Sequence, residues 1–391
     1  MPTLPTAQIT LCSSRDTDIV AIAHGEQYPR AQTALQASGF QRRDNGTFAL
    51  PANDPEISYY MVTALIDSAE RHRTTVIINS RRYLGEVAED LAAQLPGTWN
   101  ATLSVHSHPI WQEDLVPWLW DSGELTQAVQ TARVPYTATL SNGAGIELLL
   151  IERPGHDQDA YIVGAVAPEG FDDNYEEPNA PASLIAAAPE LAAAITDRFL
   201  PAYQQALHAR RTGEVASALA RVREELETLR AMTGSGRFSD GTPLGTGVLA
   251  GATAAFRSRA WLGFQDFLVH GPALLEVCRP AWTDWPEDTD ALDRLRASLQ
   301  RASAVLAGGN EEPEDPRHVP SAATASEAEA SRDAQLWSGI ETWLSDGDAL
   351  IRQARAAALT GHHTTPPAGD KSLLPAPPSL PPPPSAAPPH R

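Results

Sequence analysis

The chain has 391 residues, of which 42% are hydrophobic and 20% are charged, and its formal net charge is −20. This length suits two or three domains, and the composition is typical of a globular protein with a hydrophobic core. Because so acidic a surface repels phosphate backbones, the charge argues against nucleic-acid binding.

The near absence of lysine excludes three large enzyme classes. Of the 29 basic residues only Lys371 is a lysine. P-loop nucleotidases, protein kinases and pyridoxal-dependent enzymes each need a lysine in the active site. The two cysteines, Cys12 and Cys278, are also too few for a four-cysteine zinc site or for an iron–sulfur cluster held by one chain.

The start of the chain shows no targeting segment. The first basic residue is Arg15, so no positively charged stretch precedes an apolar one. The longest uncharged run before the proline-rich tail, 241–256, is too short to span a bilayer. We therefore expect a cytoplasmic protein without membrane association.

Residues 1–175 are expected to form an α+β domain. Short strand-like and helix-like segments alternate up to residue 97. Asp54-Pro55 supplies an N-cap followed by proline at the first helical position, and Ser80 is predicted to cap a further helix. The predicted strands of this part are 18–24, 47–50, 75–78 and 101–105, and the first predicted helix is 30–38.

The end of this domain is predicted to be an antiparallel meander. A capping box of Asp121 and Glu124 is expected to begin a helix, and three apolar segments follow it in close order. Asn142-Gly143 and Pro154-Gly155 separate these segments, and both pairs favour tight turns. The predicted meander strands are 136–140, 146–151 and 161–166.

The following region, 182–307, is expected to be helical. Its apolar residues at 4-3-4-3 spacing form an a/d seam over about two heptads, as in a short coiled coil. The seam residues are Val215, Leu219, Val222, Leu226 and Leu229. The seam predicts either packing against the chain's own helices or self-association through the helices of 184–232.

A linker, one more helix and a tail are predicted at the end of the chain. Residues 308–335 are polar and are interpreted as a linker, and a helix is expected at 336–360. The tail, 361–391, contains 11 prolines and cannot bury enough apolar surface to fold. The complete prediction is an α+β fold: a mixed α/β head with an antiparallel meander, followed by a helical region and a disordered proline-rich tail.

The most unusual segment, residues 106–121, concentrates three tryptophans, two histidines and three carboxylates. His106 and His108 are two residues apart on a predicted strand, so their side chains point the same way and both can reach one metal ion. Asp114 could complete a zinc site, with Glu113 as the general base of a hydrolase. No other cofactor is indicated.

The four residues 106–109, His-Ser-His-Pro, resemble the metal motif of JAMM-type isopeptidases. That family places Ser-x-x-Asp after the histidine pair, and its aspartate is the third zinc ligand. Val116 and Leu119 occupy the matching positions in this chain. The resemblance therefore implies zinc-dependent hydrolysis only if another carboxylate, such as Asp114, supplies the third ligand.

The same segment has two non-catalytic interpretations. The histidines and tryptophans could pack in the core at the end of the strand. Alternatively, Trp111, Trp118, Trp120 and Asp121 could form an exposed surface that binds a ligand or a partner protein. Binding requires the tryptophans to be partly exposed, whereas hydrolysis requires both histidines and a carboxylate to converge in a cleft.

Two stretches resemble an uncharacterised protein family of high-GC actinobacteria. The first is A-L-Q-A-S-G-F at 34–40 with F-A-L-P at 48–51, and the second is S-H-P-I-W-Q-E-D-L-V-P-W-L-W-D at 107–121. The resemblance covers residues from about 10 to 170. It implies no activity.

The function expected from the sequence is that of a non-enzymatic cytoplasmic binding or assembly protein whose α+β head recognises a partner or ligand. One alternative is a metal-dependent hydrolase that uses the His-x-His-Pro segment. A second alternative is a regulatory protein associated with nucleic acid, which requires a clustered arginine face.

Overall fold

A computed structural model shows two β-sheets followed by a bundle of long helices, as the predicted α+β class requires. The predicted tail, 361–391, lies outside the described residues, as do residues 309–321 of the predicted linker. No helix in the described ranges is long and apolar enough to cross a membrane. The structure describes residues 6–15, 18–50, 54–155, 160–168, 180–237, 240–278, 286–308 and 322–360.

The first sheet has five strands. They are β1 (Gln8–Ser14), β2 (Asp18–His24), β3 (Gln41–Arg42), β4 (Phe48–Ala49) and β5 (Thr75–Arg82). Their order across the sheet is β3-β4-β2-β1-β5. β1 and β2 form an antiparallel hairpin, and β5 pairs with β1 in parallel. β5 is therefore an edge strand of this sheet.

Two helices, α1 (Tyr28–Ala37) and α2 (Pro55–Arg71), cover one face of the first sheet. α2 begins as predicted, because the carboxylate of Asp54 accepts a hydrogen bond from the backbone N–H of Glu56 at 2.9 Å. Leu65 of α2 is buried with Leu11 of β1 and its neighbours. The other face of the sheet is left to pack against the second sheet.

The second sheet confirms the predicted meander. Its strands are β6 (Asn100–Val105), β7 (Leu119–Trp120), β8 (Tyr136–Ser141), β9 (Glu147–Glu152), β10 (Ala160–Val166) and β11 (Leu184–Ala187). The strand order is β11-β10-β9-β8-β6, every neighbouring pair is antiparallel, and β7 pairs with β10. β8, β9 and β10 are the three apolar segments of the meander.

A helix between the sheets, α3 (Leu84–Gln94), packs with residues from both of them in one core. The predicted cap of this helix is wrong. β5 continues to Arg82 and Tyr83 is the residue before the helix, so Ser80 lies within the strand. The pairing of β5 with β1 continues beyond the predicted strand end at residue 78. The β-branched residues at the start of β5 favour this extended conformation.

The head also extends beyond residue 181, where the sequence predicts the helical region to begin. Residues 184–187 form β11, and α6 (Ala188–Ala194) buries Leu191 in the core of the head. A π-helical turn, Ile195–Phe199, follows and buries Phe199 in the same core. No turn residue separates this short strand from the helix after it, so the sequence pattern conceals the strand.

Four long helices form the rest of the described chain. They are α7 (Leu200–Ser235), α8 (Thr246–Val277), α9 (Pro286–Gly308) and α10 (Ala322–Thr360). Val215, Leu219 and Val222 of the predicted seam are buried in the bundle core, and the other two seam residues are partly buried against it. The chain's own helices therefore occupy the seam, and self-association would need a different face.

α10 begins before its predicted position. The sequence places a linker over 308–335, but the helix starts at Ala322 and is continuous to Thr360. Alanine and glutamate are among the strongest helix formers, so the Ala/Ser/Glu-rich stretch before residue 336 extends the helix. The linker between α9 and α10 is correspondingly shorter than predicted.

We expect Trp343→Ala to destabilise the bundle strongly. The Trp343 ring is fully buried and stacks on Phe267, with ring centroids 4.4 Å apart, and its indole N–H donates to Oγ of Ser298 at 3.1 Å. Removing a buried tryptophan side chain costs about 3–5 kcal/mol. Urea denaturation measures this loss, and the matched variant Trp118→Ala, at an exposed tryptophan, should change stability by at most about 0.5 kcal/mol. Equal effects would contradict this packing.

Candidate functional site

The structure places the two predicted metal-binding histidines in different surroundings. His106 follows β6 and is buried, with its Nε2 3.1 Å from Oγ1 of Thr137. His108 caps the short helix α4 (Pro109–Glu113), and its Nδ1 accepts a hydrogen bond from the backbone N–H of Ile110 at 3.3 Å. Burial, aided by the nearby charge of Arg133, lowers the pKa of His106 to about 4. Its ring is therefore neutral at pH 7.

The predicted zinc site is not assembled from these residues. Glu113 and Asp114 are exposed beside α4. Among the residues that the structure describes, no three or more His, Cys, Asp or Glu side chains are placed to hold a metal ion. The physical reason is local. β6 ends at Val105, so the alternation that would align His106 with His108 does not continue into α4.

The predicted tryptophan surface divides into exposed and structural residues. Trp111 and Trp118 are 42% and 56% exposed, which a binding surface requires. Trp120 is buried instead and packs edge to face on Tyr203 of α7, with ring centroids 5.6 Å apart. It belongs to the core, since β7 pairs with β10 and directs this side chain inward.

Asp121 also has a structural role. Its carboxylate accepts hydrogen bonds from the backbone N–H groups of Gly123 at 2.9 Å, Thr126 at 3.1 Å and Ser183 at 2.7 Å. These bonds fix the start of α5 (Glu124–Thr131) against the segment that enters β11. The carboxylate satisfies backbone donors that have no partner within the helix, so it is not a binding residue on this geometry.

A residue that sequence reasoning missed, Gln112, organises this segment. Its side-chain amide is buried and donates to the backbone carbonyls of Val129 and Ala132 at 2.5 and 2.6 Å. Its carbonyl oxygen accepts from the backbone N–H of Val134 and from the Arg133 guanidinium, both at 2.8 Å. Gln112 therefore holds the loop between α5 and β8 in place.

A cleft of about 420 Å³ opens beside that loop. One wall is β5 from Ile77 to Arg81, together with residues of β1 and β2, and the other wall is formed by residues 133–136 and 152–155. Because successive side chains of a strand point to opposite faces, a cleft lined by five consecutive residues lies along the edge of β5. Its volume is within the roughly 300–1,000 Å³ of typical ligand pockets.

A hydrogen-bonded network joins the two walls of the cleft. The Asn79 side-chain amide donates to the Glu152 carboxylate at 2.8 Å and lies 3.0 Å from the Tyr136 hydroxyl, which itself donates to Glu152 at 2.8 Å. The Arg81 guanidinium lies 3.6 Å from the same carboxylate. Burial raises the pKa of the neighbouring Cys12 thiol to about 12. The network therefore fixes one sheet on the other, and Cys12 is not an activated nucleophile.

Two buried nitrogen atoms on this side of the molecule have no hydrogen-bond partner among the residues that the structure describes. His24, only 3% exposed, places its Nε2 2.9 Å from Oγ1 of Thr10, while its Nδ1 has no partner. Nε of Arg133 is likewise buried without a partner. The Ser107 carbonyl links Arg133 to the residue after His24, because it accepts from the backbone N–H of Gly25 at 2.8 Å and from Arg133 Nη2 at 3.2 Å.

No family model, curated protein or solved structure matches the chain.

The sequence held only weak signals for the cleft. His24 ends an apolar strand and resembles a core residue, and Arg133 lies in an ordinary loop. Residues of the two walls are more than fifty positions apart in sequence, as for Asn79 and Tyr136. Only the packing of the two sheets brings them together.

We expect the folded protein to lose stability in acid partly because of His24. Burial and the nearby charge of Arg133 lower the pKa of His24 to about 4, below the roughly 6.5 of an exposed histidine. Between these values the unfolded chain binds more protons, so stability falls as the pH falls, by about 2 kcal/mol at pH 5 for this residue. Urea denaturation at pH 7 and pH 5 should show a smaller acid effect in His24→Gln than in the unmodified protein.

The matched control is His72→Gln, at a partly exposed position after α2. It should keep the acid sensitivity of the unmodified protein. An unchanged pH dependence in His24→Gln would show that His24 is not held neutral by its surroundings.

Proposed function

We propose that the chain is a non-enzymatic binding protein whose α+β head holds an extended segment of a partner protein along the open edge of β5. The observation that carries the proposal is the cleft that follows this edge from Ile77 to Arg81. Addition of a strand to a free sheet edge is a common mode of peptide recognition, in which main-chain hydrogen bonds supply affinity and side-chain pockets supply specificity.

The backbone of β5 supports such an addition. Among the described residues this strand pairs with β1 alone. The backbone N–H of Thr75 donates to the carbonyl of Ala7, on the β1 side, at 3.0 Å. Because backbone groups alternate sides along a strand, the N–H groups of Val76 and Ile78 face the open edge. A free edge of this length is a template for another strand.

The side chains beside the edge are apolar on both faces of the sheet. Ile78 is 80% exposed and lies on the same face as Val76, which packs toward α1 and α2. Ile77 is 41% exposed and lies on the face that borders the cleft. A bound strand would therefore place alternate side chains against Ile78 and into the cleft.

The exposed face of α2 enlarges this apolar surface. Exposed isoleucines and tyrosines follow one another along the helix, which contacts β5. They are Ile57, Tyr59, Tyr60 and Ile66. Tyrosine is enriched at the energetic centres of protein interfaces, so these exposed side chains favour an interaction site on this helix.

The exposed tryptophans Trp111 and Trp118 are proposed to form a further contact surface for the partner. The Trp111 ring lies against Tyr28, with centroids 5.4 Å apart, and beside His108 at 6.2 Å. This aromatic group presents an apolar body with polar edges, as partner-binding surfaces commonly do.

The proposal is tested by selecting peptides from a display library of random linear 12-residue peptides on the full chain. We expect enriched peptides whose affinity, measured by fluorescence anisotropy, falls at least tenfold in Ile78→Pro. Proline removes one outward N–H from the edge without removing a hydrogen bond to β1. The matched variant Ile78→Thr keeps the N–H and the β preference, and should retain most of the affinity.

Circular dichroism of both variants checks that the fold is intact. Enriched peptides that bind Ile78→Pro as tightly as the unmodified protein would contradict strand addition at β5. Failure to enrich any peptide over the random library would contradict peptide binding itself.

A further inference from the structure

We infer that the cleft selects partner segments that carry a carboxylate, which Arg133 recognises beside His24. This inference rests on the proposed strand addition and specifies its ligand: an acidic peptide. The bound group is either an Asp or Glu side chain or the peptide's C-terminal carboxylate, since both present the same two oxygens.

The charge around the cleft differs from that of the whole molecule. The chain carries a net charge of −20, whereas the described lining of the cleft contains three arginines, Arg81, Arg133 and Arg153, and one carboxylate, Glu152. A cleft of one sign of charge concentrates ligands of the opposite sign. The described lining of this cleft therefore repels an acidic segment less than the average surface of so acidic a protein does.

Two of the three arginines already have carboxylate partners. Arg81 lies 3.6 Å from Glu152, and Arg153 lies 2.9 Å from Glu124. Arg133 differs from both. Its Nη1 donates to Gln112, and its Nη2 donates to the backbone carbonyls of His106 and Ser107, all of them neutral acceptors.

No described carboxylate forms an ion pair with Arg133, although its side chain is partly buried. Burial lowers the pKa of its guanidinium to about 10, so the group stays charged at neutral pH. A partly buried charge without a counter-ion is costly unless a ligand supplies one. A ligand carboxylate in the cleft would do so.

The surroundings of Arg133 favour an acceptor. Its Nε and the His24 Nδ1 are buried polar atoms that no described group satisfies. The Nε–H can only donate, so a hydrogen-bond acceptor is required there. Carboxylate oxygens are acceptors only, so a ligand carboxylate in the cleft could satisfy the Nε–H after a small movement of the Arg133 side chain.

The edge of β5 favours a peptide over a free anion. A peptide that pairs with the outward N–H groups of β5 carries its side chains into the adjoining cleft at every second residue. A free phosphate would gain the charge interaction without the strand pairing. Binding of a peptide should therefore depend on the outward N–H groups of β5, whereas binding of free phosphate should not.

The test uses one peptide enriched on the full chain and three analogues of it. In one analogue each Asp or Glu is replaced by Asn or Gln, in another the C-terminus is amidated, and in the third both changes are made. We expect at least a tenfold loss of affinity in the analogue that lacks the recognised carboxylate. The loss should shrink as the salt concentration rises. The ligand-side change leaves the fold of the protein untouched.

The protein-side readout is the Nε–H signal of Arg133 in a ¹H–¹⁵N spectrum, assigned with Arg133→Lys. We expect the acidic peptide to shift this signal and the uncharged analogue to leave it in place. The matched control is Arg153→Gln, which removes a cleft arginine that is already paired with Glu124. It should retain the preference for the acidic peptide, and Arg133→Gln, if folded by circular dichroism, should lose it.

Other results would overturn the inference. Equal affinity for acidic and uncharged peptides, with binding still lost in Ile78→Pro, would refute the carboxylate but leave strand addition standing. A carboxylate preference that survives Ile78→Pro would instead refute strand addition. A larger Nε–H shift with inorganic phosphate than with peptide would identify a small-anion site. A shift of the signal in Asp157→Asn/Asp159→Asn without any ligand would show that the chain supplies its own carboxylate.

Discussion

The parallel pairing of β5 with β1 is the constraint on which the rest of the α+β head depends. A parallel pair needs a crossover between its strands, and α1, β3, β4 and α2 all lie in that crossover. The crossover helices cover one face of the sheet, so the second sheet can pack only on the other. Because β5 ends the strand order, no described strand pairs with its outer side.

The face of β5 that is turned toward the second sheet borders the cleft. Asn79 points toward the second sheet and reaches Tyr136 and Glu152, so a polar network fixes the separation of the two sheets at the edge strand. Two residues before Asn79, Ile77 borders the cleft. The Arg133 Nε and the His24 Nδ1 lie on this side of the molecule, and no group in the described part of the chain satisfies them.

The sequence predicted those parts of the fold that local patterns encode. The proline after Asp54 located the start of α2, and alternating apolar runs with Asn142-Gly143 located the meander. Features that depend on distant packing were missed, including β11 and the cleft. The His106 and His108 pair shows the limit most clearly, because the two residues belong to different elements although they are two positions apart. Within the tryptophan-rich segment, Trp111 and Trp118 are exposed and Trp120 is buried. This difference arises from the pairing of β7 with β10, which the sequence pattern does not show.

The central claim is that the outer edge of β5 is an open site for a peptide strand, and amide hydrogen exchange tests it most directly. The backbone N–H groups of Val76 and Ile78 should exchange quickly in the free protein, while those of Thr75 and Ile77, which face β1, should be protected. Addition of a peptide enriched on the full chain should protect the two outward groups and leave the inner ones unchanged. Outward groups that are already protected in the free protein, or that stay unprotected when the peptide is bound, would contradict the account.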